Sequence, residues 1–168
     1  MPLIKNGAFA EDTFETVADD AAMPANGSIV SLARFERDKE TLLARNAALG
    51  VRLKSDQSPE ALGADVHRLS VVVLEFPKFR DGRPLSWARM LRTRLGFEGE
   101  IRATGHFLYD QFAFMRRVGI DAFEVQENVT PGDFDRAFAE MTDVYQPSAD
   151  GRTTIRELRT SARRAAHA

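Results

Sequence analysis

The 168-residue chain contains no cysteine. Disulfides, a cysteine nucleophile, thiolate-bound zinc and a cysteine-ligated iron–sulfur cluster carried by this chain are therefore excluded. Long hydrophobic runs are absent as well. Stretches such as Val71-Val72-Val73-Leu74 are strand-sized, far short of the ~18 consecutive apolar residues that a membrane span needs. Neither sign of charge dominates: 23 Lys and Arg stand against 25 Asp and Glu, a net charge of -2, so nothing in the overall balance points to nucleic acid. The start, Met1-Pro2-Leu3-Ile4-Lys5-Asn6-Gly7, lacks a basic region followed by an apolar stretch, so no signal peptide is expected and a cytoplasmic location is the default.

Several chemical motifs are lacking too. There is no G-x-G-x-x-G, no G-x-x-x-x-G-K-[ST] and no serine in a G-x-S-x-G context, so no cofactor is encoded by a recognisable motif. The histidines, His67, His106 and His167, are far apart and show no metal-ligand spacing, so no metal site is expected.

What is present is the composition of one packed domain, with 43% hydrophobic and 29% charged residues. Residues 1–27 form an acidic lead-in, with Glu11, Asp12, Glu15, Asp19 and Asp20 against Lys5 alone; the alternation around 13–17 suggests a strand or hairpin. From residue 28 to 146 strand and helix signals alternate. Strands are expected over 29–35, 51–54, 69–76, 101–106 and 122–126. Helices are expected over 36–49, stopped by Gly50, from Ser58-Pro59, over 85–95, over 110–118 and after Thr130-Pro131. Residues 147–168 form a basic tail whose Thr154-Ile155-Arg156-Glu157 has the capping-box pattern of a helix start. The expected fold is α/β: a mostly parallel sheet of about five strands with crossover helices, either an open layer or a partial barrel, plus a short N-terminal β lead-in and a C-terminal helix.

In such folds ligands sit beyond the carboxyl ends of the strands. Lys54, Glu75, His106 and Gln126 are the polar residues expected there, with Lys78, Arg80 and Glu127 just beyond. Glu75 beside His106 is the sharpest catalytic pair, a carboxylate and an imidazole suited to acid–base work; the competing view is that strand ends are polar because they meet water. The stretch from Lys78 to Arg94 holds six cations and one anion, a local charge of +5. Lys78, Arg80, Arg83 and Arg89, with Asp81 among them, are candidates for binding an anion or an acidic partner, Arg80 and Arg83 by bidentate contacts. A solvated cationic face is the plainer alternative. Phe107, Leu108, Tyr109, Phe112, Phe114 and Met115 cluster around Asp110-Gln111; they read mainly as core, with any surplus lining an oligomer interface. Within the tail, residues 152–168 carry a net charge of +4 and leave 1–151 at -6. It is either a solvated end or a basic helix that docks on an acidic partner or on the chain's own N-terminus.

Three segments carry a resemblance: Leu74-Glu75-Phe76-Pro77-Lys78-Phe79-Arg80-Asp81-Gly82-Arg83, Ala88-Arg89-Met90-Leu91-Arg92, and Gly99-Glu100-Ile101-Arg102-Ala103-Thr104-Gly105. Together with Asp110-Gln111 and Gly119-Ile120-Asp121-Ala122-Phe123-Glu124, they resemble the bacterial domain-of-unknown-function family nine-three-four. The likeness covers most of 28–140. That family carries the label of an oxidoreductase involved in sulfite reduction and is commonly encoded beside assimilatory sulfite reductase. The resemblance thus implies sulfite reductase as a partner, but brings no established mechanism. The family pattern often has Asp after the glycine where this chain has His106, which lowers His106 as a general base and shifts weight to 76–83; Asp110 and Gln111, in the matching segments, join the anion- or partner-binding candidates. With no cysteine and no dinucleotide fingerprint, redox work would need a non-covalent cofactor such as a flavin or a haem. The expected role is an accessory protein that binds the reductase or an anionic ligand; the alternative is a small α/β oxidoreductase acting at the strand ends.

Overall fold

In the computed structural model, which describes residues 1–165, eight strands form a single sheet. They are β1 Leu3–Lys5, β2 Ala8–Ala10, β3 Phe14–Thr16, β4 Gly27–Ser31, β5 Leu49–Leu53, β6 Val71–Phe76, β7 Glu100–Gly105 and β8 Ala122–Glu124. Their spatial order is β2-β1-β8-β7-β6-β5-β4-β3. From β3 to β8 all neighbours are parallel, while β1 joins β8 and β2 antiparallel. The helices are α1 Leu32–Leu43, α2 Arg83–Thr93, α3 Phe112–Arg117, α4 Pro131–Ala139 and α5 Ile155–Ala165, with 3-10 turns at Pro59–Arg68 and Tyr109–Gln111.

The sheet is a curled half-barrel, and chain length demands the curl. Eight strands laid flat would put β2 and β3 ~34 Å apart at ordinary strand spacing, yet the four residues from Ala10 to Phe14 reach only ~14 Å. Each parallel crossover moves one strand along in sequence order, so helices fall on the same face of the sheet. Val72, Leu74 and Phe76 of β6 meet Phe35, Leu91, Met115 and Phe134 of the helices there in one core. The concave face is built differently: Ile29, Val71 and Val73 pack beneath Phe14, and beside them Arg102, 1% exposed, is held by Asp12 at 2.8 Å, Glu100 at 2.8 Å and Glu124 at 3.4 Å.

All five expected parallel strands are present, but the count is eight because the lead-in is part of the sheet rather than an appendage. Asn6 and Gly7, both at positive φ, make the tight turn between β1 and β2. β3 is a parallel edge strand, not half of a hairpin. The helix expected over 36–49 begins earlier, because the Ser31 hydroxyl caps it by accepting from Arg34 N at 3.0 Å, and it ends at Leu43. Gly50 does not stop a helix: it lies inside β5, where a Cβ would come within 2.3 Å of Val71 Cγ1.

The capping box at Thr154 and Glu157 forms as expected, with Thr154 N donating to Glu157 Oε2 at 2.7 Å and Glu157 N to Thr154 Oγ1 at 3.3 Å. The α5 arginines make no ion pair with the acidic N-terminus among the described residues. No helix among those residues is long and apolar enough to cross a membrane.

Candidate functional site

The loops that follow β6, β7 and β8 rise at the carboxyl end of the sheet and enclose a cleft of about 840 Å³. The β6 loop supplies Lys78, Phe79 and Arg80. The β7 loop supplies His106, Phe107, Leu108 and Tyr109, while Gln126, Asn128 and Val129 follow β8.

Local bonds fix these loops. Asp81 N donates to Lys78 O at 2.9 Å, closing a turn. The Asp81 carboxylate then takes Arg83 Nε at 2.9 Å and Nη2 at 2.7 Å, a fork-to-fork pair. Those bonds from Arg83 hold Asp81 well below the usual carboxylate range. Arg83 Nη2 also donates to Ser55 Oγ at 3.0 Å, and Trp87 Nε1 to Ser55 O at 3.0 Å. Gln111 clasps two of the cleft loops together: its Nε2 donates to Phe79 O at 2.9 Å and its Oε1 accepts from Leu108 N at 2.9 Å. Across the cleft Asp133 caps α4 by accepting from Thr130 N at 2.7 Å, and this bond lowers its pKa. Tyr109 donates to Glu140 at 3.1 Å; desolvation first, and that bond second, raise its pKa.

The +5 segment therefore separates into different jobs. Arg83 is committed to Asp81, and Arg94 to Glu60 at 2.8 Å. Arg92 pairs with Asp121 and donates to the Gly99 carbonyl at 2.8 Å and the Gly119 carbonyl at 3.1 Å. Arg89 is exposed on α2, away from the cleft. Lys78 and Arg80 alone among the six line the cleft, and neither forms an ion pair among the described residues. Arg80 lies over the Phe79 ring, 5.2 Å from its centroid. Glu124 also borders the cleft, but its charge faces Arg102 and its Oε2 accepts from Thr104 at 2.6 Å. Uncompensated positive charge on the loop after β6 is the site's main electrostatic feature.

The expected catalytic pair is not assembled. His106 lines the cleft, whereas Glu75 sits half-buried opposite Thr104 in the sheet and does not line it. No hydrogen bond joins the two among the described residues. Lys54, whose N donates to Gln57 Oε1 at 2.8 Å, is likewise outside the cleft, and Asp110 is exposed beside it. Trp87 packs on the core. Of the aromatic-rich cluster, Phe112 and Met115 are core. Leu108 and Tyr109 instead reach the cleft, as does Asn128, all of them placed by the same strand-end logic that singled out His106 and Gln126. No group of three or more His, Asp or Glu among the described residues is arranged to hold a metal; His167 lies outside those residues.

A family model described as a bacterial protein of unknown function (DUF934) matches residues 50–156, a span that includes every cleft residue named above. No curated protein and no solved structure matches the chain.

Proposed function

We propose that this chain, which belongs to the bacterial family of unknown function DUF934, is an accessory protein of assimilatory sulfite reduction. It binds an anionic group of sulfite reductase, or an anionic ligand, in the cleft above β6–β8. The observation that carries this reading is the free pair Lys78 and Arg80: the other arginines of their segment are neutralised or lie elsewhere, while these two face the cleft. Exposed cations on a fixed loop favour association with an anion and set its orientation. The sulfite pathway comes from the family resemblance carried by residues 74–83 and 99–105. The alternative, an oxidoreductase with a non-covalent cofactor, keeps only His106 in the cleft and loses Glu75, so the binding role has the stronger support.

Capture of sulfite reductase by the tagged full chain tests the proposal. The wild-type chain retains the reductase at low salt, and Lys78→Ala with Arg80→Ala lowers retention by about tenfold or more, as expected for removal of close interfacial charges. Equal retention by the double variant overturns it. A visible absorption band in the purified chain, lost with the same two substitutions, would favour the cofactor-binding alternative.

A further inference from the structure

We infer that the cleft is shaped for an organic anion with a flat aromatic body, an aryl phosphate, sulfonate or carboxylate, rather than for a bare oxyanion; this rests on the reading of the cleft as the binding site given above. The floor supplies the first argument. Phe107 meets Phe76, Phe112 and Phe123 edge to face at centroid distances of 5.8, 5.8 and 6.1 Å. Phe112 in turn stacks on Phe134 at 4.0 Å and 16°. Of these rings Phe107 and Phe112 line the cleft; Phe76, Phe123 and Phe134, buried beneath, lock them in place, so the two offer a preorganised apolar surface to another ring.

The rim supplies the second. Phe79, Leu108 and Tyr109 stay 43%, 48% and 36% exposed although they border a concavity. Apolar area grouped in a cleft, unlike apolar residues scattered singly, marks a surface that gains by being covered. Sulfite or phosphate alone would leave it wet. A volume of about 840 Å³ lies in the range of sites for organic molecules, where a mostly apolar lining is joined by a few convergent polar groups.

Placement supplies the third. Lys78 and Arg80 belong to the β6 loop, the apolar groups mainly to the β7 loop, and the Gln126 and Asn128 amides to the segment after β8. Charge, ring and hydrogen-bonding edges are thus read by three separate walls. Gly105 lets the first two walls leave the sheet side by side: at φ +103° its backbone lies so close to that of Phe76 that a Cβ would come within 2.3 Å of Phe76 O.

Calorimetric titration of the full chain with 1-naphthyl phosphate, 1-naphthol and inorganic phosphate separates these contributions. Naphthyl phosphate should bind at least about tenfold more tightly than either of the others, since it alone engages both the cationic and the aromatic wall. Lys78→Ala with Arg80→Ala should bring it down to the level of naphthol. Leu108→Ser with Tyr109→Ala should bring it down to the level of phosphate, with thermal melting confirming that both variants are folded. Arg159→Ala, on the exposed face of α5, should change nothing. Naphthyl phosphate binding no better than inorganic phosphate, or binding that ignores Leu108 and Tyr109, overturns the inference. If that happens while capture of sulfite reductase still depends on Lys78 and Arg80, the cleft serves an acidic protein segment and the proposed function survives without the aryl ligand.

Discussion

The inside of the half-barrel, charged from β7, β8 and the loop before β3, and the cleft above it, charged from the loop after β6, put their charged residues to opposite use. Inside, Arg102 is almost fully enclosed, and Asp12, Glu100 and Glu124 all reach it. Lys5 adds a further bond to Glu100 at 2.7 Å. Desolvation opposes the Arg102 charge, yet the bonds to Asp12 and Glu100 outweigh it and hold its pKa above the ordinary value. Above, Lys78 and Arg80 have no such partners among the described residues. A buried charge is tolerable only when paired; an exposed one can stay free, and a free charge is what an incoming anion meets. Pairing, rather than the number of cations, separates the charges that hold the shape from those available for recognition.

The strongest way to break this contrast is to remove the inner cation. Arg102→Met should destabilise the fold by about 3 kcal/mol, the scale for stripping one member from a buried charge cluster, because Glu100 and Glu124 stay enclosed and Asp12 loses the contact that brings residues 11–13 across the concave face. Urea unfolding followed by circular dichroism measures it. A loss below about 1 kcal/mol would mean that the interior cluster is solvated and no more structural than the cleft.

How much of this was legible beforehand depends on the length of the signal. The parallel strands announce themselves because Val71–Phe76 is long and apolar on both faces; the strand-end rule then leads to Lys78, Arg80, His106 and Gln126, which line the cleft, and to Lys54, Glu75 and Glu127, which do not. Strands of three residues leave almost no periodicity to read, so β1 and β2 lie outside the expected strands; the Asn6-Gly7 pair at their turn is a signal that could have marked them. The buried pairing of Arg102 leaves no local mark in the sequence, because its partner Asp12 lies 90 residues away. Composition could not divide the +5 segment either, since whether Arg83 is free or tied to Asp81 is a matter of side-chain geometry, and so is the separation of Glu75 from His106.

A smaller effect sharpens the contrast within one loop, where Arg83 is paired and Arg80 is not. Asp81, with its pKa depressed by Arg83, favours the folded state at pH values above its ordinary, unfolded-state pKa near 3.8, and this contribution is lost as pH falls below that value toward the depressed folded pKa. Asp81→Asn should therefore lower the melting temperature modestly at neutral pH and bring the variant and wild-type curves together in acid. Parallel curves across the whole pH range would show that the pair does not act in folding.

The smallest expected effect on stability is at the cleft itself. Lys78→Ala with Arg80→Ala removes the stacking of Arg80 on Phe79, worth about 0.5–1 kcal/mol at an exposed site. It also relieves repulsion between two cations close in sequence, a term of opposite sign and similar size at surface dielectric. The loop keeps its turn, because Asp81, Arg83 and Gln111 hold it through bonds that neither substitution touches. The net change in unfolding free energy should thus stay within about 0.5 kcal/mol, while the binding described above collapses. A chain destabilised by more than about 1 kcal/mol would place these two cations with Arg102, as parts of the scaffold, and erase the difference between the two regions.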